Sequence, residues 1–409
     1  SMKICLLCIG NELLAGRTIN TNAAWISRSI SYLGPKVILQ TVVPDHKPSI
    51  IMMLRQMINE QTPSCIIITG GLGPTEDDVT RSALFSFVDA KEKFDKKYWN
   101  ELTKRFRDRG YNIPQSNMSQ AIIPSSGDII ENPIGSARGF KFIAGQTTII
   151  ALPGVPNEMK VMMKESVLPW IAAKRKSEFY SCRLRTTGVP ESEIAEILKE
   201  PLATNHGCAI GYYPSEYGVD LQISSKKLDN VNEFKKIVSE VLGPTIYSDQ
   251  NIDLQEVLVK IALKNKKTIA VAESCTGGLI GSRITDVPGS SEVFLGGILA
   301  YSDKIKEKML GIDKKLIRKF GAVSNEVVIK MAQGVKSKFK SDVGIAVSGI
   351  AGPGGGSDEK PVGLVYICYS SASRDRVLKH TFGSVRKINK IKASQAALNL
   401  TRMELVKSD

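Results

Sequence analysis

The chain has 409 residues, 55 Lys+Arg against 41 Asp+Glu, and a hydrophobic content of 42%. At roughly 100 to 200 residues per domain this predicts two to four domains, and no run approaches the ~18 apolar residues of a membrane helix, so a membrane-spanning role is not expected. Seven scattered cysteines fit a reducing, cytoplasmic setting and not a disulfide scaffold.

The net charge of +14 is unevenly spread, with +4 in residues 1–170, −1 in 171–250 and +11 in 251–409. A basic excess suits an anionic small substrate or a nucleic acid, and it also occurs on a merely solvated face.

In chain order, residues 3–9 form an apolar run that predicts a strand, followed by a turn at Gly10-Asn11-Glu12 and a helix over about 19–33 stopped by Gly34. Residues 37–43 read as a strand, 47–60 as a helix, and 64–69 as a near-continuous apolar strand ending in Gly70-Gly71. Such alternation predicts a parallel sheet covered by helices. Cys5 and Cys8 make a Cys-x-x-Cys inside the first strand, either buried strand residues or a redox pair.

The charged stretch 91–109 reads as helical, 132–140 as a turn-rich hairpin, and 147–152 as a strand. That strand ends in Leu152-Pro153-Gly154-Val155-Pro156, where Pro156 starts a helix reaching about residue 167. Residues 171–250 read as a small α+β module with strands at 181–187 and 219–224, helices at 191–200 and 231–242, and a linker near 248–253. A helix from Leu254 then leads to a strand at 268–272, and alternation continues to a final helix over about 388–406.

Residues 273–278 occupy a strand-to-helix turn at the carboxyl edge of the sheet, where open α/β sheets bind ligands. Free backbone N–H groups at the helix start can hold an oxyanion or phosphate, Gly277 and Gly278 allow close approach, and Ser274 and Thr276 add hydroxyls. Ser274 can equally be a helix cap. Downstream, Tyr301, Lys304 and Lys306 follow a strand end, and a desolvated lysine can act as general base for serine in hydrolases without histidine.

The only histidines, His46, His206 and His380, lie far apart, which disfavours a Ser-His triad, and no Cys/His spacing suits zinc. A glycine-rich loop from Ser348 to Gly356 follows a buried strand at 343–347, suggesting phosphate binding or a flexible surface loop. It matches neither a P-loop nor a dinucleotide fingerprint.

Four ordered motifs, Glu273-Ser274-Cys275-Thr276-Gly277-Gly278, Tyr301-Ser302-x-x-x-Lys306, Gly321-Ala322-Val323-Ser324, and Ser348 to Pro353 with Lys360-Pro361-Val362-Gly363, together resemble the CinA C-terminal domain, the nicotinamide mononucleotide deamidase family. The resemblance implies hydrolysis of the nicotinamide carboxamide to the acid with release of ammonia, without a cofactor. It implies Ser274 as nucleophile, Lys306 as its base and Tyr301 as a proton-relay partner. Ser348 and the glycine loops would assist the oxyanion or the ribose phosphate. Glu273, Thr276, Gly277, Gly278, Gly349, Gly352, Lys360 and Arg386 would contact substrate. Asp303 stands where the family usually has Asn, and Gly-Ser-Val-Arg stands for Gly-Asp-Arg before Arg386. Cys275 is the rival nucleophile.

Near the N-terminus, Gly70-Gly71-Leu72-Gly73-Pro74-Thr75-Glu76-Asp77-Asp78 places glycines and carboxylates at another carboxyl edge. Glycine amides suit phosphate and clustered carboxylates suit a hard divalent cation, although acidic residues also favour a helix start. With Gly10-x-Glu12-Leu13-Leu14-x-Gly16, Thr21-Asn22, Asn132-x-x-Gly135 and Leu152-Pro153-Gly154-Val155-Pro156, this resembles the CinA N-terminal domain, related to molybdopterin-binding proteins. The resemblance implies divalent-metal-dependent cleavage of a pyrophosphate such as ADP-ribose. Glu12, Asp45, Asp77, Asp78 and Glu158 are the candidate metal or base residues, and Asn22, Gly70, Gly71, Gly73 and Thr75 the candidate phosphate ligands. A scaffold that binds a pterin-like nucleotide without turnover stays open.

Residues 171–250 resemble the KH-like module joining these domains. No Gly-x-x-Gly clamp occurs there, and with a segment charge of −1 a spacer or dimerisation role is expected and nucleic-acid binding is not. The expected architecture is thus α/β: a molybdopterin-binding-like three-layer domain (1–170), a small α+β KH-like domain (171–250) and an α/β deamidase domain (251–409). A homodimer follows from the resemblance. The competing class is a nucleic-acid-binding or interaction protein linked to competence, with inactive nucleotide sites.

Overall fold

The first apolar run forms β1 (Lys3–Ile9), buried at every position except its first. Residues 2–174, 178–204 and 207–407 are described by the structure, a computed structural model, so His206 lies outside the described residues. Along the chain follow β2 (Lys36–Val43), β3 (Cys65–Thr69), a small ribbon of β4 (Glu92–Phe94) and β5 (Ile122–Pro124), then β6 (Asp128–Ile130), β7 (Gly139–Ala144) and β8 (Thr147–Leu152). Six of these make one sheet in the order β2-β1-β3-β8-β7-β6. β1, β2, β3 and β8 run parallel, whereas at one edge β7 pairs antiparallel with β8 and β6 antiparallel with β7.

Alternate residues of β1 enter different cores. Cys5 and Leu7 join Ile66, Ile68, Phe140 and Ile149 on one face, while Ile4, Leu6 and Cys8 join Ile26, Ile67 and Met159 on the other. A three-residue spacing on a strand puts the two cysteines of the Cys-x-x-Cys on opposite faces, which removes the redox-pair alternative. Both are buried free thiols, and burial pushes the Cys5 thiol above its ordinary value.

The charged stretch expected to be one helix is split. Asp95 caps the helix Lys96–Asp108 by accepting from the Tyr98 amide at 3.0 Å, which fixes the helix start there and leaves Glu92-Lys93-Phe94 to pair with β5. The helix Lys47–Gln56 continues as a wider π turn over Met57–Gln61, and Pro156–Met162 does the same over Met163–Val167.

In the middle segment β9 (Tyr180–Thr186), β10 (Ala209–Ser215), β11 (Gly218–Ser225) and β12 (Ile246–Ser248) form a sheet in the order β10-β11-β9-β12. β10 is absent from the sequence expectation because Gly211 and Pro214 interrupt its apolar pattern. It sits at the sheet edge, where a proline is tolerated, and pairs antiparallel with β11. The chain divides into two compact units, Ser1–Ser181 with Lys226–Leu228, and Cys182–Ser225 with Asp229–Asp409. Within the second, Arg185 binds Asp253 at 2.6 Å and Ile252 O at 2.8 Å, and the Arg283 guanidinium lies 5.1 Å from the Tyr217 ring centre.

The last segment carries β13 (Ile269–Glu273), β14 (Phe294–Leu299), β15 (Val343–Gly349), β16 (Leu364–Ser370) and β17 (Asp375–Thr381), ordered β14-β13-β15-β16-β17. β13, β14 and β15 are parallel, β16 pairs antiparallel with β15 and β17 antiparallel with β16, so this sheet too is mixed. Register pairs Glu273 with Leu299 on one side and Val347 on the other. Ser274, Ala300-Tyr301 and Ser348 therefore leave neighbouring strands at one edge.

Candidate active sites

At that edge a cavity of about 180 Å³ is lined by Ser274, Cys275, Tyr301, Asp303, Lys306, Ala322, Val323, Ser348, Gly349, Ala351 and Arg386. The Ser302 hydroxyl caps the helix Asp303–Leu310, and the first turn of this helix carries Lys306 inward until it is only 1% exposed. Its Nζ lies 3.4 Å from Ser274 Oγ, 3.1 Å from Tyr301 O and 3.7 Å from Asp303 Oδ1. Burial holds the Lys306 amine below its ordinary pKa, against the opposing pull of the Asp303 carboxylate. A lysine so placed has access to the neutral form that can take a proton from a serine.

Arg386, at the start of the helix Arg386–Val406, donates to Tyr301 Oη at 3.0 Å and to Gly352 O at 2.9 Å. Cys275 borders the cavity but is buried, packing with Val347, Ala351 and Val365 in the core, and burial pushes its thiol up to about 12. That is the wrong direction for a nucleophile. Neither His46 nor His380 lines the cavity; His46 bonds Ser49 and His380 stacks on Phe382.

Several residues expected to touch substrate are committed to the protein instead. Glu273 is 1% exposed and its carboxylate accepts from the amides of Gly278, Ile280 and Gly281 at 3.0, 3.1 and 2.9 Å. The helix-start amides expected to be free for an anion are thus taken by the residue preceding the nucleophile. Thr276 is wholly buried, and Gly277 and Gly278, with φ of 61° and 93°, shape the turn; none of the three lines the cavity. Lys360 donates to Phe320 O and, at 2.9 Å, to Val323 O, so it secures the loop carrying Ala322 and Val323. Ser348 donates its proton to Ala322 O at 2.7 Å, which leaves it an acceptor and not an oxyanion donor. The turn's other amides are bonded from Ser274 to Val347 O, from Gly277 to Ser274 O and from Leu279 to Thr276 O; those of Cys275 and Thr276 enter none of these bonds.

A second cavity, of about 730 Å³, opens at the carboxyl edge of the first sheet. Glu12, Asp45, Asp77, Asp78 and Glu158 all line it, with Gly70, Gly71, Gly73 and Arg17. Gly70 has a φ of 103°, and a Cβ there would lie 2.2 Å from Ile9 O, so the sharp turn after β3 admits only glycine. Each of three carboxylates has one oxygen fixed: Asp45 by the Asn11 amide at 2.8 Å, Asp78 by Thr75 N at 2.9 Å, and Glu158 by Asn132 Nδ2 at 2.7 Å. Asn132 also accepts from the Gly135 amide, which accounts for the Asn-x-x-Gly spacing. Burial, followed by the Glu12 and Asp78 charges, raises the Asp45 pKa.

Two expectations change here. Thr75 spends both its amide and its hydroxyl on Asp78, so it positions a carboxylate and does not face phosphate. Asn22 donates to Gly154 O at 2.8 Å and does not line this cavity. Arg17, which sequence reasoning passed over, supplies a cation at the rim; its place straight after Gly16 of the Gly10 motif was the available signal.

Among the described residues no three His, Cys, Asp or Glu side chains converge closely enough to hold an ion alone. Carboxylates with one oxygen positioned and the other spare are the donor type a hard divalent cation takes, and such a cation would need water or substrate oxygens to complete its shell here. No helix among the described residues is long and apolar enough to cross a membrane.

Comparison with known proteins matches residues 251–405 to the CinA C-terminal domain, residues 5–173 to the "Probable molybdopterin binding domain" and residues 181–248 to the damage-inducible protein CinA KH domain. A CinA-like protein of Thermosipho melanesiensis is 38% identical over 403 residues, covering 98% of both chains. A CinA-like protein of Kosmotoga olearia is 36% identical over 412 residues, covering 99% of both. Among solved structures, a competence/damage inducible protein CihA from Agrobacterium tumefaciens is 32% identical across 39% of this chain and 99% of its own, with a TM-score of 0.36. The chain belongs to the CinA family, with a molybdopterin-binding-like, a KH-like and a CinA C-terminal domain in that order.

Proposed function

We propose that the C-terminal domain is an amidohydrolase that converts nicotinamide mononucleotide to nicotinate mononucleotide and ammonia. The observation that carries this reading is Lys306 Nζ, buried and 3.4 Å from Ser274 Oγ. Neutral Lys306 takes the Ser274 proton as Oγ adds to the carboxamide carbon. The amide of Cys275, adjoining the nucleophile, would donate to the oxyanion. Collapse expels the amine, which leaves as ammonia with a proton supplied from the Tyr301 and Lys306 side. Water then adds to the ester, giving a proton to Lys306, and the acid departs as Ser274 recovers its proton. The decisive experiment is ammonia release from nicotinamide mononucleotide by the full chain and by Ser274→Ala; release that persists in the variant overturns the assignment.

A second activity is favoured by five carboxylates and two glycine turns around one cavity. On this reading the N-terminal domain cleaves a pyrophosphate such as ADP-ribose. Asp45, with Asp78 or Glu12 beside it, would help hold a divalent cation whose other ligands would be water and substrate oxygens, and the cation would supply charge neutralisation at the diphosphate. Gly71 and Gly73 would let the diphosphate approach the backbone, Arg17 would pair with phosphate charge, and Glu158, oriented by Asn132, would take a proton from water. Hydrolysis of ADP-ribose with added divalent metal, lost in Asp78→Ala, tests it.

A further inference from the structure

Arg283 sits on the short helix Leu279–Thr285, which starts directly after the nucleophile turn, and it is 7% exposed. Its Nη1 donates to Ser394 Oγ at 2.9 Å, and its Nη2 donates to Gln255 Oε1 at 2.9 Å and to Gln395 Oε1 at 2.6 Å. Ser394 and Gln395 are buried on the helix Arg386–Val406, whose first residue lines the small cavity. The guanidinium therefore joins the helix that follows Ser274 to the helix that begins with Arg386. From there the bonds lead into the KH-like module, which belongs to the same compact unit. Gln395 turns its Oε1 to the guanidinium, so its Nε2 donates to Thr187 Oγ1 at 3.2 Å, and Thr187 donates onward to Tyr217 O at 2.9 Å. Tyr217, in the turn between β10 and β11, is also the residue whose ring the guanidinium lies over. Farther along the long helix, Arg402 donates to Pro244 O at 2.7 Å.

The partners that Arg283 holds are neutral. A buried guanidinium loses its hydration and is stable only where hydrogen bonds and a ring face replace it, so these contacts fix where it sits. We propose that Arg283 is a positioning residue of the deamidase site and that the KH-like module acts through it, bracing the two helices that follow Ser274 and carry Arg386. This gives the middle module a part in the chemistry of the neighbouring domain, beyond that of a spacer. The inference rests on the deamidase reading for the reaction it serves. The short helix is held at both ends, by the Glu273 carboxylate on its first amides and by Arg283 about 6 Å farther along. A tilt at Arg283 is passed to the Ser274 turn, and a displacement of roughly 1 Å at reacting atoms costs up to about 10²-fold in rate.

The test compares Thr187→Val with Thr187→Ser in the full chain, since only the first removes the hydroxyl that Gln395 meets. Ammonia release from nicotinamide mononucleotide should show kcat about tenfold lower in Thr187→Val with KM within about twofold, and kcat restored in Thr187→Ser. Arg283→Lys, which keeps the charge and loses the planar fork, should behave like Thr187→Val. Hydrogen exchange at the amides of residues 278–281 gives a readout that needs no substrate. It should quicken about tenfold in Thr187→Val and return to the wild-type rate in Thr187→Ser. A contact that serves stability alone would lower the unfolding midpoint and leave kcat and this exchange unchanged, and either of those unchanged in Thr187→Val overturns the inference. Should Thr187→Val fail to fold, Tyr217→Leu against Tyr217→Phe supplies the same contrast through the ring. A wild type that releases no ammonia would sink the deamidase reading, and the exchange comparison would then decide by itself whether the module braces this turn.

Discussion

Arg386 donates to the phenol oxygen of Tyr301 at 3.0 Å, so the phenol O–H points at some other acceptor. The guanidinium, expected to bind substrate phosphate, also holds Gly352 O and thereby links the glycine loop to the phenol. Replacing Tyr301 by Phe should lower kcat for ammonia release by about 10²-fold, the usual size of a lost proton donor, with KM little changed. Steady-state kinetics check this, and an unchanged kcat would remove Tyr301 from the relay.

The pH profile should report Lys306. Its amine is held below the ordinary lysine value by burial, and turnover needs the neutral form, so kcat/KM should rise with pH through that lowered pKa. Asp303, 3.7 Å away, pulls the pKa back up, and Cys275 and Tyr301 act in the same sense. Asp303→Asn should therefore move the ascending limb to lower pH, which a profile taken from mildly acid to alkaline conditions will show. A shift to higher pH would contradict the arrangement.

Cys275→Ala should retain deamidase activity within about a few-fold, since the thiol is buried in the core and pushed up to about 12. Ser274→Ala should lose about 10³-fold or more. Parallel ammonia assays separate the two candidate nucleophiles.

Glu273→Gln should destabilise the protein by roughly 2 to 3 kcal/mol, because one charged carboxylate satisfies three amides and the neutral amide keeps a single acceptor oxygen. Denaturant unfolding of the full chain measures it. Loss of activity with unchanged stability would instead favour direct substrate contact.

Gly73→Ala should impair pyrophosphate cleavage while leaving ammonia release intact. A Cβ at residue 73 would lie 2.5 Å from Asp78 Oδ2, forcing that carboxylate off its bonds to Thr75. Hydrolysis of ADP-ribose and deamidation, measured on the same preparation, provide the contrast.

Strands with unbroken apolar runs were legible in the sequence, and Lys3–Ile9 and Thr147–Leu152 lie where the pattern puts them. Strand β10 was not, since Gly211 and Pro214 are punctuation by any local rule and only pairing with β11 makes them a strand. The meeting of Ser274, Tyr301, Lys306 and Ser348 around one cavity follows from motif order and strand-end placement. What the side chains do there was less legible. Glu273, Lys360 and Thr75 have the chemistry of ligands, and whether such groups face solvent or the chain's own amides and carbonyls depends on neighbours remote in sequence.

The collar that Glu273 forms around the start of its helix has a kinetic meaning. The carboxylate is one peptide bond from Ser274, so the nucleophile is mounted on a joint that folding itself has already locked. The entropy of aiming the hydroxyl is spent once, when the chain folds, and each turnover begins from an aligned ground state. Loosening that joint should therefore appear as a slower chemical step with substrate still bound normally.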